Sequence, residues 1–328
     1  MITLGIESSC DETSVALLRD DAIVSNVVYS QIEHTRFGGV VPEIASRAHL
    51  EKIGVLTDAA LKKAALAISD IDLIAVTDGP GLAGALLIGV SFALGLHVRW
   101  RKPVAGINHL EGHICSVFLE NPELAFPFLG LVVSGGHTAI YRVDEIGSYA
   151  CLGQTVDDAA GEAFDKVGKM LGFSYPAGRT IEEEARRAES ANGIAFPVSR
   201  LSNAPLDFSF SGLKTAVKYF VADKGPDFVK AKRPAICRAF QETVVAALVN
   251  NCVAAVQTTG IRNVALVGGV ACNTRLREAL RERLGSNSVY VPSPLLCADN
   301  GAMIACAGRK RALLGRTRPA HMNPGSTL

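Results

Sequence analysis

The sequence predicts an α/β chain of two duplicated lobes, each built on a partly parallel sheet, and three observations predict it. The opening ITLGIESSCDETSVALLRDDAIVSNVVY reads as short β segments joined by polar turns, and the pattern returns near residue 126 in FPFLGLVVSGGHTAIYRVDEIGSYACLGQT. Small-residue helical stretches follow each opening: AHLEKIGVLTDAALKKA in the first half, DDAAGEAFDKVGKMLG and ICRAFQETVVAALVNNCVAAVQTTG in the second. The length of 328 residues exceeds one typical domain and suits two cores. Strand-like DLIAVTDG and NVALVGG alternate with the helices, which makes each sheet partly parallel. The expected division is 1–125 and 126–328. Pro176 to Ser211, rich in Gly, Pro, Ser and Asn, reads as an irregular surface insertion in the second lobe.

Composition is globular, with 48% hydrophobic and 20% charged residues, and no uninterrupted apolar run long enough for a membrane span. The first residues read directly as a strand, so no leader is expected and the location predicted is cytoplasmic. The eight cysteines are scattered singly without a C-x-x-C pair, which argues against a disulfide framework. A net charge of +1 means that a polyanion would have to bind through local patches. Two basic groups are candidates: Arg275, Arg277, Arg281 and Arg283, and the group Arg309, Lys310, Arg311, Arg316 and Arg318, the second being expected to touch nucleic-acid phosphates.

The sharpest chemical signal is GINHLEGHI. In a helix, His109 and His113 stack on one face and can hold a metal. In a zinc-protease helix the glutamate directly follows the first histidine, whereas Glu111 comes one residue later and points about 180° from the midline of the ligands. The protease base is therefore missing. Two histidines leave a first-row metal underliganded, and Asp299 in LLCADNGAMIA, just before a small-residue helical run in the position of an N-cap or of a functional loop carboxylate, is the candidate third ligand.

Other segments suggest a bound anion. In VVSGGHT, Gly135 and Gly136 allow backbone amides to approach a phosphate, while Ser134 and Thr138 offer hydroxyls; a plain hairpin turn explains the same residues equally well. ALVGGVACN, with Gly268, Gly269 and Asn273, leaves a strand and opens a helix whose N-terminus favours negative charge. Asp158, Glu162 and Asp165 are expected on one helix face, free for ribose hydroxyls. Glu7, Asp11 and Glu12 form an acidic turn. GPGLAG, from Gly79 to Gly84, mimics a dinucleotide loop but lacks the acidic residue about 20 positions on, and is read as a close-packing element.

Nine segments in order, GIESSCDET, FGGVVPEIASR, GPGLAGALLIG, NHLEGH, LVVSGGHT, DDAAGEAFDKV, DFSFSGLKT, VGGVACN and CADNGAMIA, resemble the TsaD family of tRNA threonylcarbamoyladenosine transferases, in its bacterial and mitochondrial branch. The resemblance implies the two-lobed actin-like fold of sugar kinases and Hsp70. It also implies transfer of threonylcarbamoyl from its adenylate to N6 of adenosine 37 in tRNAs reading codons that begin with A, with release of AMP. By resemblance His109, His113 and Asp299 are metal ligands for one divalent ion per subunit, Fe2+ or Zn2+, and Asp11, Glu12 and His137 are the catalytic candidates. Val133, Ser134, Gly135, Gly136 and His137 match the substrate loop, and Asp165, Gly178 and Asn273 match further adenylate contacts; Val132, Thr138, Glu182, Gly268 and Gly269 complete the substrate-binding set. The nucleotide is ATP, AMP or threonylcarbamoyl-AMP, with or without Mg2+. Where the family has Pro-Gly-Gly, this chain has Pro176-Ala177-Gly178, and Ala177 could narrow the backbone there. The implied partners are tRNA, TsaB through the N-terminal lobe, TsaE and a separate synthase for the adenylate, with no membrane. The alternatives are a glycoprotein metallo-endopeptidase, which the misplaced Glu111 opposes, and a nucleotide-binding scaffold without catalysis.

Overall fold

The computed structural model describes residues 1–198, 201, 203–325 and 328. They form two compact units: Met1–Phe126 with Asp144–Tyr149 and Pro292–Leu328, and Pro127–Val143 with Ala150–Val291. The second half of the chain therefore does not make one unit, because residues from 292 onward return to the first.

Unit 1 is built on a five-stranded sheet of β1 (Ile2–Glu7), β2 (Glu12–Arg19), β3 (Ala22–Ser30), β4 (Leu73–Gly79) and β5 (Val104–Asn108), in the order β3-β2-β1-β4-β5. The first three strands are an antiparallel meander, closed between β2 and β3 at Asp20 in the left-handed region (φ 54°). β4 and β5 add in parallel after crossover helices α1 (Pro42–Ala64) and α2 (Ala83–Trp100). Alternation along β1 sorts its two faces: Leu4 and Ile6 enter the core with Ile53, Leu56 and Val90 of α1 and α2, while Gly5 lies against α9 (Gly301–Leu313). β4, covered on both sides, is buried along its whole length, as a continuous apolar strand run requires. α3 (His109–Ser116) follows β5 directly, and the short α8 (Pro294–Cys297) precedes α9.

Unit 2 repeats the plan. Its strands β6 (Phe128–Val133), β7 (Thr138–Glu145), β8 (Ser148–Gln154), β9 (Val264–Val267) and β10 (Val289–Tyr290) run β10-β9-β6-β7-β8, the same third-second-first-fourth-fifth order. Its helices are α4 (Ala160–Met170), α5 (Gly178–Arg186), α6 (Ser211–Thr259) and α7 (Thr274–Leu284). α6 is two helices joined at Gly225, whose backbone is extended and left-handed (φ 75°, ψ 166°) just before Pro226. The shared strand order bears out the duplication read from the two β-rich openings.

Two expectations need correction. The stretch 176–211 is not wholly irregular, since α5 occupies Gly178–Arg186; Ser199, Arg200 and Ser202 of that stretch lie outside the described residues. Asp158 lies ahead of α4, which begins at Ala160, so it cannot share a helix face with Glu162 and Asp165. α2 and α6 are each long and apolar enough to cross a membrane by length and composition, although α2 buries Ala85, Leu86, Gly89, Val90 and Ala93 within unit 1. GPGLAG serves close packing as expected: a Cβ at Gly81 would lie 2.7 Å from the Ser9 carbonyl oxygen.

The N-terminus of α6 is capped from a distance. Asp157 accepts from the Phe210 and Ser211 amides (2.8 and 3.2 Å) and from the Ser209 and Ser211 hydroxyls (2.6 and 2.7 Å). Burial works against its charge, but these donors outweigh it and hold the carboxyl below the ordinary value. A depressed pKa contributes stability that is present above the unfolded value and lost as pH falls through the folded one. Asp157→Ala is expected to cost about 1–2 kcal/mol at pH 7. The gap between the two proteins in urea melts should narrow as pH falls below about 4; a gap of the same size at about pH 2 as at about pH 7 contradicts the assignment.

Candidate functional site

The carboxyl ends of β1 and β5 deliver one cluster. Asn108 ends β5 and caps α3, its side chain accepting from the Leu110 and Glu111 amides, so the helix begins at His109 and turns His109 and His113 to one side. Asp299 Oδ1 lies 3.1 Å from His113 Nε2 and 3.6 Å from His109 Nε2. One ligand atom from each of the three residues fits within 4.8 Å. The structure brings together the three residues proposed from sequence, with one correction: the cap of α9 is Asn300, which accepts from the Met303 amide, and Asp299 stands just ahead of it.

The donor set fits a cation. His113 is fully buried and neither of its ring nitrogens makes a hydrogen bond, an expensive state that a bound metal would relieve. His109 has its Nδ1 held by Glu7 Oε2 and the Ser9 hydroxyl, both at 3.1 Å, which turns Nε2 toward Asp299. Burial disfavours the imidazolium, but Asp299 and Glu7 outweigh it and push His109 up to about 9. Burial would likewise raise Glu7, yet His109 prevails and holds its pKa low. Glu7 also accepts from the Ser9 amide (2.6 Å) and the Thr77 hydroxyl (2.6 Å). Neither Ser9 nor this role of Glu7 was singled out from sequence; a carboxylate followed by two serines at a strand end is the only local hint.

Glu12 and Asp11 flank this set at the start of β2. Burial, then Asp299 and Asp11, push the Glu12 carboxyl well above its usual range. Glu111 behaves as its position on the helix predicts. It is fully buried away from the imidazoles, accepting from Arg311 Nε at 2.8 Å on both oxygens and from the Tyr149 hydroxyl at 2.7 Å. It is not available as a hydrolytic base.

The loops of unit 2 are more occupied than the sequence suggests. Ser134–His137 is the turn of the β6–β7 hairpin, with the Ser134 amide donating to the His137 carbonyl and the His137 amide to Ser134 Oγ. Thr138 Oγ1 accepts from the Ala160 amide, so this hydroxyl serves the start of α4 rather than a ligand. Val132 and Val133 are fully buried and can offer only backbone. Gly135 and Gly136 face open space. Gly268 (φ +93°) packs against the Val133 carbonyl, Gly269 opens a short 3-10 turn, and Asn273 caps α7 through the Leu276 amide while donating to Gln241. The N-terminus of α7 already faces a carboxylate, since Glu182 Oε1 accepts from the Thr274 amide at 2.9 Å.

The supposed acidic face is neutralised as well: Asp158 pairs with Lys166 and Lys214, and Glu162 with Lys166. Asp165 accepts from the Ala177 amide at 2.7 Å. Ala177 has ordinary right-handed geometry (φ −98°), so the missing glycine costs nothing in backbone strain, and Gly178 begins α5. The basic group from Arg309 to Arg318 is not a free surface. Arg309 pairs with Asp21, Arg311 with Glu111, Arg316 with Glu145 and Arg318 with Asp78, and Lys310 lies over Phe118. In the other group Arg275 pairs with Glu242. Replacing Arg309, Lys310 and Arg311 would therefore damage unit 1, and such a variant is no clean probe of nucleic-acid contact.

Glu111→Gln leaves the Arg311 guanidinium, largely buried, without its counter-charge. The loss expected is on the order of 3 kcal/mol, read as a lower denaturation midpoint. A midpoint equal to that of the unaltered chain would contradict a structural role for the pair.

Comparison with known proteins agrees with this geometry. Residues 22–306 match the family model for TsaD, tRNA N6-adenosine threonylcarbamoyltransferase. The chain is 50% identical over 321 residues to the protein of that name from Geobacter sp. (strain M21), covering 97% of this chain and 93% of the relative. It is 44% identical over 328 residues to that of Fervidobacterium nodosum, covering 99% and 97%. Among solved structures, HypF of T. kodakarensis superposes with a TM-score of 0.65 at 15% identity, over 97% of this chain and 48% of that one. The (R)-2-hydroxyglutaryl-CoA dehydratase component A of Acidaminococcus fermentans does so at 0.56 and 16%, over 95% and 99%. These neighbours share the actin-like fold, and that fold alone is what the likeness shows. The chain belongs to the TsaD family of tRNA N6-adenosine threonylcarbamoyltransferases, and is a transferase that acts on tRNA.

Proposed function

We propose that the chain transfers threonylcarbamoyl from threonylcarbamoyl-AMP to N6 of adenosine 37 in tRNAs reading codons that begin with A, using one divalent ion, Fe2+ or Zn2+, held by His109, His113 and Asp299. The observation that carries this reading is the convergence of those three side chains, both histidines buried and Asp299 partly exposed, in a chain half identical to a named transferase. In the reaction the N6 amine attacks the carbamoyl carbon. A C–N bond forms, the bond from that carbon to the phosphate oxygen breaks, AMP leaves with the electron pair, and the amine loses a proton. A bound metal supplies Lewis acidity that orients and polarises the substrate.

The chain's own residues do the rest. Glu7 and Ser9 fix the His109 ring, Asp11 and Glu12 stand beside the ligands to hold or take up the amine proton, and His137 with the amides of Gly135 and Gly136 binds the adenylate. Val132, Val133, Ser134, Thr138, Asp165, Gly178, Glu182, Gly268, Gly269 and Asn273 shape that loop region, several through the packing already described. ATP, AMP or Mg2+ at the same loops belongs to this reading. So do a cytoplasmic location, TsaE, and a separate synthase that makes the adenylate. Docking of TsaB on unit 1 is supported by Leu50 and Val55 of α1 and Leu87, Leu94 and Val98 of α2, apolar side chains left exposed on two packed helices.

The deciding experiment combines the chain with its partners, the synthase, threonine, bicarbonate, ATP and unmodified tRNA, then digests the tRNA for mass spectrometry; no threonylcarbamoyladenosine above the control lacking this chain would overturn the reading. His109→Ala and His113→Ala are expected to lower metal affinity at least about tenfold while leaving circular dichroism unchanged. Metal content equal to that of the unaltered chain in the double variant would sink the ligand set. Since a Cβ at Gly135 or Gly136 meets nothing, Gly135→Val and Gly136→Val should fold normally yet lose most affinity for a non-hydrolysable adenylate analogue in calorimetry. Wild-type affinity in both would remove the loop from the site.

A further inference from the structure

The segment from Arg318 to Pro324, which follows α9 and lies beyond the residues the family model matches, is bound along the edge of the first sheet. The Gly106 amide, on edge strand β5, donates to the Arg318 carbonyl (3.0 Å), and Ala320 packs against the core of unit 1. There is no room for a side chain beneath it: a Cβ at Gly106 would lie 2.9 Å from Ala320 Cα and 2.0 Å from Asp78 Oδ2. Arg318 grips the fully buried Asp78 with two bonds, Nη1 to Oδ2 at 2.6 Å and Nη2 to Oδ1 at 2.7 Å. Farther on, the Asn323 amide donates to the Asp78 carbonyl (2.6 Å) and the Gly81 amide to the Pro324 carbonyl (3.1 Å).

Both elements that hold His109 are thus tied to this one segment. β5, held at Gly106, leads through the cap Asn108 straight into His109. The turn held at Gly81 continues to Leu82, whose amide donates to the Ser9 carbonyl (2.8 Å), and the Ser9 hydroxyl stands 3.1 Å from His109 Nδ1. We propose that Arg318–Pro324 is a positioning strap, locked by the Arg318–Asp78 pair, that sets the place and ring orientation of His109 for its metal. The inference rests on the metal reading above. The strap touches no ligand atom itself; it acts through the backbone of β5 and through Ser9, as supporting residues around a metal commonly do.

Cobalt(II) titration of the full chain, followed by visible absorption, tests it. Arg318→Ala is expected to weaken cobalt binding at least about tenfold and to change the d–d bands, because the ligand geometry shifts. Arg318→Lys, which keeps the charge but not the paired bonds, should recover part of the affinity, and Arg316→Ala should change neither quantity. Deleting residues 322–328 keeps Arg318 on Asp78 but removes the bonds to Asn323 and Pro324; it should give an intermediate loss, and it decides the matter if Arg318→Ala does not fold. Affinity within about twofold and an unchanged spectrum in Arg318→Ala, or in the deletion where that variant does not fold, overturns the strap while leaving the metal site standing. Failure of the unaltered chain to bind cobalt overturns both.

Discussion

Burying polar and charged side chains at the carboxyl ends of three parallel strands is the constraint around which unit 1 is organised. β1 ends in Glu7, β4 passes through Asp78 and β5 ends in Asn108, and because these strands run the same way their ends meet along one edge of the sheet. A buried carboxylate is tolerable only if its lone pairs and its charge are answered. Glu7 is answered by His109, Ser9 and Thr77, and Asp78 by Arg318. Each answer recruits a different part of the chain, so the loops and the helix that carry the ligands are held by the demand to satisfy these acids.

The same accounting separates the two faces of α3. On one side, His109 and His113 meet carboxylates and retain an unmet demand, an imidazole fully buried without a hydrogen bond. On the other, Glu111 is fully satisfied by Arg311 and Tyr149. A helix of eight residues thus carries a histidine face turned to Asp299 and a structural one, and the spacing of its side chains decides which is which. Unit 2 has the same strand order, but its parallel strands β6 and β9 finish in buried valines, Val133 and Val267. What lies beyond them is backbone turn, where unit 1 has charged side chains.

Features governed by local periodicity were legible in the sequence. The alternating strands of each opening, the helical spacing of His109 and His113 and the orientation of Glu111 follow from geometry within a few residues. Features governed by pairing across the chain were not. Arg309, Lys310, Arg311, Arg316 and Arg318 look like a basic surface in a linear reading, because nothing local reveals that Asp21, Glu111, Glu145 and Asp78 are folded against them. Asp158 seemed part of a helix because its spacing fits, yet Ala159 has extended geometry (ψ 160°) and starts the helix after it. The distinction between Asp299 and Asn300 at the α9 cap turns on a single residue, the scale at which sequence reading of helix ends fails. Asn108 was the missed signal nearest to hand: an asparagine directly before the H-L-E-G-H run is a cap in its own right.

Unit 1 has a consequence for the order of events during synthesis. The Gly301 amide that donates to the Ser14 hydroxyl is separated from it by 287 residues, and α9 packs on β1 on the far side of the sheet from α1 and α2. The first sheet can form its meander early, but one of its faces stays bare until nearly the whole chain has left the ribosome. Long-range closure of this kind is slow and leaves apolar surface open meanwhile. Asp299 arrives with the same late segment, so a nascent chain that holds both histidines still lacks their acidic companion. Completion of the fold and the meeting of Asp299 with the two histidines thereby become one event.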